Sequence, residues 1–324
     1  MAAMLIGVVA FLVSSYLNLG YVDPLILALV FGIFFSSFVF KREYFSNGLD
    51  FTIKAFVPLG VFFYGLSDLN FAKILKVDYH FLFVILATVL AFCISIAITG
   101  RLLKQKKEIT YLLSTGSAVC GASAIVITAP SIKARAEDVS ISLLSITLAG
   151  IFGLFIMFPL AGALFGFNRE VYALMVGALS HFTGFIKVAV EIMHPLFSAA
   201  TKENSIELAL SVKAVRYLGL FIFIPVFSSL LTKKFNIPRF LWAYLIAGII
   251  GTFFYVNGFE FYKIGIAPII KPIYKILWSV YLAAIGLNTN PKYLFSNYGA
   301  KAIIMSFAGF FTALVIFLLS IMLL

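Results

Sequence analysis

The sequence predicts an all-α polytopic membrane protein of about eleven transmembrane helices, organised as an inverted repeat of five plus five helices. Three observations lead there. Hydrophobic residues make up 63% of the 324 and charged residues only 11%, too little polar surface to cover a globule in water. The apolar residues come in long continuous runs, where an outer-membrane barrel would show short segments alternating apolar and polar residues. Motifs of the first half also recur in the second at a constant offset.

Eleven apolar segments follow along the chain, at 4–18, 23–40, 51–66, 80–100, 109–131, 140–166, 170–190, 206–231, 238–256, 265–287 and 299–323. No basic stretch precedes the first and no clear cleavage site follows it, so it reads as a retained helix rather than a signal peptide. The third is interrupted by Pro58. The fifth is interrupted by the run Ser114-Thr115-Gly116-Ser117-Ala118-Val119-Cys120-Gly121-Ala122-Ser123-Ala124. Irregular backbone at membrane depth survives only against other protein or a watery cavity, which makes that run a candidate binding site.

The net charge of +11 comes from Lys and Arg in short loops, so it marks orientation rather than a nucleic-acid partner. One side carries Lys41, Arg42, Arg101, Lys104, Lys106, Lys107, Arg169, Lys233, Lys234, Arg239 and Lys292; the other carries Lys73, Lys76, Lys133, Arg135, Lys202 and Lys263. The richer side is cytoplasmic by the positive-inside rule, which puts the N-terminus inside and the C-terminus outside. Cys93 and Cys120 both lie within apolar segments, so neither a disulfide framework nor a metal site is expected.

Ile53-Lys54-Ala55-Phe56-Val57-Pro58-Leu59-Gly60 lines up with Val212-Lys213-Ala214-Val215-Arg216-Tyr217-Leu218-Gly219, an offset of 159 residues. Ile146-Thr147-Leu148-Ala149-Gly150 falls on Met305-Ser306-Phe307-Ala308-Gly309 at the same offset. Residues 23–166 and 167–324 therefore read as two five-helix repeats, with residues 1–22 as an extra N-terminal helix. An odd number of helices per unit turns the copies opposite ways across the membrane, the build of secondary transporters. The offset carries Cys120 onto Ser279, so the tenth segment is expected to be the second broken helix, facing the first across the repeat interface.

Three features carry chemistry. A half-helix beginning near Gly121 would turn free N–H groups toward an anion, with Ser117, Cys120 and Ser123 around it; close helix packing by small residues is the plainer alternative. Lys213 and Arg216, three residues apart, share a helix face well inside the bilayer, where an ionisable group is costly and usually functional. A structural cation satisfied by helix-end carbonyls is the alternative there. His181 stands near the middle of the seventh segment, as a proton-linked residue or a hydrogen-bonded core histidine. All 13 acidic residues fall at or near segment ends, so cations without carboxylates at mid-depth point to an anionic substrate. A Na⁺ site of carbonyls and hydroxyls stays open.

Gly116 to Ala124, followed by Ala129-Pro130-Ser131-Ile132-Lys133-Ala134, resembles the signature segment of the YeiH-like family of bacterial inner-membrane proteins, described as sulfate exporters. Val212 to Arg216 and Ala283-Ala284-Ile285-Gly286-Leu287-Asn288-Thr289 support the resemblance, which spans roughly residues 23 to 310. It implies a fold related to bile-acid and sodium/proton transporters, with two crossing discontinuous helices in a core domain beside a panel domain. One departure is that the family carries His-Glu followed closely by Gln in the seventh segment, where this chain reads His181-Phe182-Thr183-Gly184-Phe185.

The expected function is secondary transport of a small anion, such as sulfate, sulfite or a sulfonate, across a bacterial inner membrane by alternating access. Ser117, Cys120, Gly121, Ser123 and Ser279 would line the pocket, Lys213 and Arg216 would supply positive potential, and His181 would be proton-linked. No cofactor or metal is expected beyond a coupling Na⁺ or H⁺. The expected partners are the anion and the lipid bilayer, with a homodimer as a candidate assembly. The alternatives are a Na⁺-coupled organic-anion symporter resembling bile-acid carriers, a membrane enzyme using Cys120 as nucleophile, and an ion channel.

Overall fold

The computed structural model describes residues 1–17, 22–38, 43–192, 199–233, 237–259 and 261–323, and every regular element among them is helical. Lys41, Arg42, Lys234 and Glu260, which entered the charge readings above, lie outside the described residues. Six helical stretches are long and apolar enough to cross a membrane: Tyr79–Leu102, Ala136–Leu164, Glu203–Leu231, Arg239–Val256, Pro268–Asn288 and Asn297–Met322. Shorter apolar helices add to these.

In chain order the helices are α1 (Ala2–Leu17), α2 (Pro24–Phe38), α3 (Glu43–Asp68), α4 (Phe71–Leu75), α5 (Tyr79–Leu102) and α6 (Lys107–Thr115). Then come α7 (Ala122–Ser131), α8 (Ala136–Phe152), α9 (Phe158–Leu164), α10 (Arg169–Leu179), α11 (Thr183–Ile192) and α12 (Ala199–Tyr217). The last are α13 (Leu220–Thr232), α14 (Arg239–Val256), α15 (Ala267–Asn288), α16 (Pro291–Leu294) and α17 (Asn297–Met322). Side-chain caps set several starts. Asp23 accepts from the Leu25 amide, Asp78 from His80 and Asn168 from Val171, each satisfying a donor that a first turn leaves orphaned.

The chain divides into two compact units, each drawn from both halves of the sequence. One comprises residues 1–72, 126–141 and 223–296. Its centre is α15, against which α1, α2 and α3 pack. Gly32 and Gly286 let α2 and α15 approach to backbone contact, since a Cβ at Gly32 would stand 2.5 Å from the Ala283 carbonyl oxygen. The other unit comprises residues 73–125, 142–222 and 297–324, with α5 packed on α17 and α10 on α12.

The apolar segments and the helices agree in order, with three corrections at their interiors. Pro58 does not interrupt α3, which runs unbroken through it from Glu43 to Asp68. The proline forfeits one backbone N–H bond, and the rest of a 26-residue helix holds the chain in register. The tenth segment is likewise not broken at Ser279, because α15 is continuous from Ala267 to Asn288. One backbone position explains this. The break at Gly121 needs a left-handed backbone, and the offset places Val280 there, a β-branched residue that does not adopt it. Among the described residues the seventh segment is interrupted instead, between α10 and α11, and the eighth between α12 and α13.

Candidate functional site

The fifth segment breaks as its residue types dictate. After α6, a single π turn covers Gly116–Cys120, closed by the Gly121 amide donating to the Gly116 carbonyl at 2.8 Å. Gly121 then interrupts the helix with φ 72° and ψ −123°, a conformation for glycine alone. A Cβ there would stand 2.6 Å from the His181 carbonyl oxygen, so glycine is also required by the backbone running alongside. A helix that ends this way leaves its last carbonyls without intrahelical partners.

The seventh segment breaks differently. The Ser180 amide still donates to Val176 at 2.9 Å, but Ser180 itself is extended, with φ −61° and ψ 130°. The chain crosses His181 and Phe182 before α11 begins at Thr183. Gly177 brings this helix close to α12, its absent Cβ lying 2.5 Å from the Ala209 carbonyl oxygen.

Arg216 joins the two breaks. Its Nε donates to the Ala118 carbonyl at 2.9 Å and one terminal nitrogen to the Ser117 carbonyl. The other terminal nitrogen donates to Gly177 at 3.1 Å and Ser180 at 2.9 Å. One turn earlier on α12, Lys213 Nζ also donates to the Ser180 carbonyl, at 2.7 Å. Both side chains are buried, at 0% and 2% exposure, and no carboxylate among the described residues pairs with either. The negative ends of two interrupted helices partly balance their charge. The Phe92 ring lies 5.9 Å from the guanidinium and edge-on to His181 at 5.6 Å, and Phe310 stacks on the other side of the imidazole at 6.0 Å.

Beside these bonded groups stand polar atoms with none. The hydroxyls of Ser117 and Ser180 and both ring nitrogens of His181 are buried and lack hydrogen-bond partners. A buried orphan of this kind costs about 1–3 kcal/mol.

Of the residues expected from sequence, Ser117, Cys120, Gly121, His181, Lys213 and Arg216 gather within one unit at these two breaks. Ser123 lies half-buried in the first turn of α7. Ser279 belongs to the other unit, on unbroken α15, its hydroxyl buried and without a partner. The helix-end carbonyls raised as an alternative for the cations are what Arg216 and Lys213 bind. Ser180, Gly177 and Phe92 were missed. The absence of carboxylates at mid-depth was the available signal, because buried cations without acids must find free carbonyls, and free carbonyls mean interrupted helices.

Among known proteins, a family model described as conserved hypothetical protein 698 matches residues 1–306. A UPF0324 membrane protein of Streptococcus agalactiae serotype V is 27% identical over 314 residues, covering 94% of this chain and 90% of that protein. One from Fusobacterium nucleatum is 28% identical, covering 91% and 90%. One from the archaeon Archaeoglobus fulgidus is 26% identical, covering 89% and 81%. No solved structure matches the chain. The YeiH-like resemblance and the family match agree, and this chain belongs to the UPF0324 membrane protein family, conserved hypothetical protein 698.

Proposed function

We propose that the protein is a secondary active transporter of a small anion, of the sulfate, sulfite or sulfonate kind, in a bacterial inner membrane. One observation carries this reading. Two buried cations, with no carboxylate pairing with them among the described residues, stand at a pair of helix breaks that also hold unpartnered hydroxyls and an imidazole. Membrane interiors tolerate such charge where a pathway needs it, and discontinuous helices are where transporters place their sites. In this reading the two compact units would be the bodies that alternating access requires. In this reading His181 links transport to protons, the N-terminus is cytoplasmic and the C-terminus lies outside.

Proteoliposomes loaded with unlabelled sulfate or sulfite test the proposal directly. Labelled anion should enter by exchange, and a pH gradient should drive net flux if His181 is proton-linked. Uptake of an organic anion that depends on Na⁺ would identify the Na⁺-coupled symporter instead. Absence of anion flux under any gradient would sink both readings.

A further inference from the structure

We infer that Ser117 and Ser180 are a matched pair of anion-binding hydroxyls acting with the Lys213 ammonium, that Arg216 positions them without itself clamping the ligand, and that the ligand is therefore a compact oxyanion rather than a carboxylate. This rests on the anion-carrier reading and narrows its substrate class.

The two serines are equivalent in a way the sequence repeat does not predict. Each sits at the end of an interrupted helix, each gives its main-chain carbonyl to the same guanidinium, and each keeps a buried hydroxyl without a partner. A single planar group bonds both carbonyls, so one side chain ties the backbone of the two serines together. Ser117 is 0% exposed and Ser180 1%, which leaves neither hydroxyl the option of bulk water.

The donor count separates the two cations. A guanidinium has five N–H groups, and the bonds to Ala118, Ser117, Gly177 and Ser180 use four of them. Arg216 therefore cannot offer the two parallel N–H groups that recognise a carboxylate side-on. Lys213 has three N–H groups and uses one, on Ser180. What faces a ligand is a point charge with spare donors, two hydroxyls and the His181 ring, the donor set of a small anion with oxygens on several sides.

The full-length protein, purified in nanodiscs, tests this by equilibrium binding of radiolabelled sulfate, competition by sulfite and acetate, and thermal melting without anion. We expect sulfite to compete and acetate to compete at least tenfold more weakly. Ser117→Ala and Ser180→Ala should each weaken sulfate binding about tenfold while the anion-free melting temperature holds or rises, since an orphaned hydroxyl has been removed. Unchanged sulfate affinity in both variants would overturn the inference, as would acetate binding as well as sulfate. Arg216→Lys keeps the charge but loses the fork, and it should erase the preference for sulfate over acetate. A purely structural arginine would lower the melting temperature and leave that preference intact. Should the unmodified protein bind neither sulfate nor sulfite, the anion-carrier reading itself falls, an outcome distinct from binding that ignores the serines.

Discussion

The stretches around Gly121 and around Ser279 are matched by the 159-residue offset in the sequence, yet one interrupts its helix and the other does not. The offset of 159 sets Gly116, Ser117, Ala118, Val119, Cys120 and Gly121 against Lys275, Ile276, Leu277, Trp278, Ser279 and Val280. In the first stretch small side chains and a glycine at positive φ let a π turn form and the helix break. In the second, Trp278 and Tyr281 are buried among the aromatic and aliphatic side chains of their unit, and nothing replaces the glycine. Stretches matched by one offset thus break or stay helical according to the backbone freedom of the residues they carry.

The sharpest way to break this contrast is to give the first stretch the residue of the second. Gly121→Val would force a β-branched residue to φ 72° and drive a side chain into the His181 carbonyl, 2.6 Å from the nearest Cβ position. Backbone strain alone costs about 1–3 kcal/mol. With the clash added, the loss should exceed about 3 kcal/mol and lower the melting temperature of the purified protein by about 6–12 °C, or prevent its isolation. A variant that melts with the parent would show that the left-handed glycine is not what holds the break.

A smaller effect should follow from Arg216→Gln. Hydrogen bonds to a charged group are worth about 1.5–3 kcal/mol each before compensation, and one amide cannot replace four of them, so a net cost of about 2–4 kcal/mol is expected. The loss should be local. Amide hydrogen exchange should accelerate at 117–122 and 180–185, while residues 276–284 serve as the unaffected reference within unbroken α15. Equal acceleration in both stretches would mean that Arg216 supports the whole protein rather than the two breaks.

The same comparison shows what could be read from residue types and what could not. Apolar runs placed the helices, because the bilayer leaves a buried backbone little alternative to a helix. The Gly121 break was legible from its small residues, and the burial of Lys213 and Arg216 from their position in an apolar run. The unbroken helix at Ser279 was also legible in principle, because Val280 stands at the position that the 159-residue offset matches to Gly121. The break at Ser180 had no composition signal of its own. It follows from a long-range need, two cations seeking carbonyls, and such a need becomes visible only when α10 and α12 are brought together in space.

The finest test of the contrast concerns Ser279, whose hydroxyl is buried and unpartnered like that of Ser117 but lies within a continuous helix. If α15 is simply a packed helix at this position, the hydroxyl is a liability. Alanine is the better helix former by about 0.5 kcal/mol, and removing an unsatisfied buried donor relieves a desolvation cost of about 1–3 kcal/mol, offset in part by the small void left behind. Ser279→Ala should therefore stabilise the protein by about 0.5–1.5 kcal/mol, read as a melting temperature raised by about 1–5 °C. A fall instead would mean that the hydroxyl binds something in the native protein. Ser279 would then be a polar wall of a site, as its repeat relation to Cys120 first indicated, and an unbroken helix would have kept half of the chemistry of its broken twin.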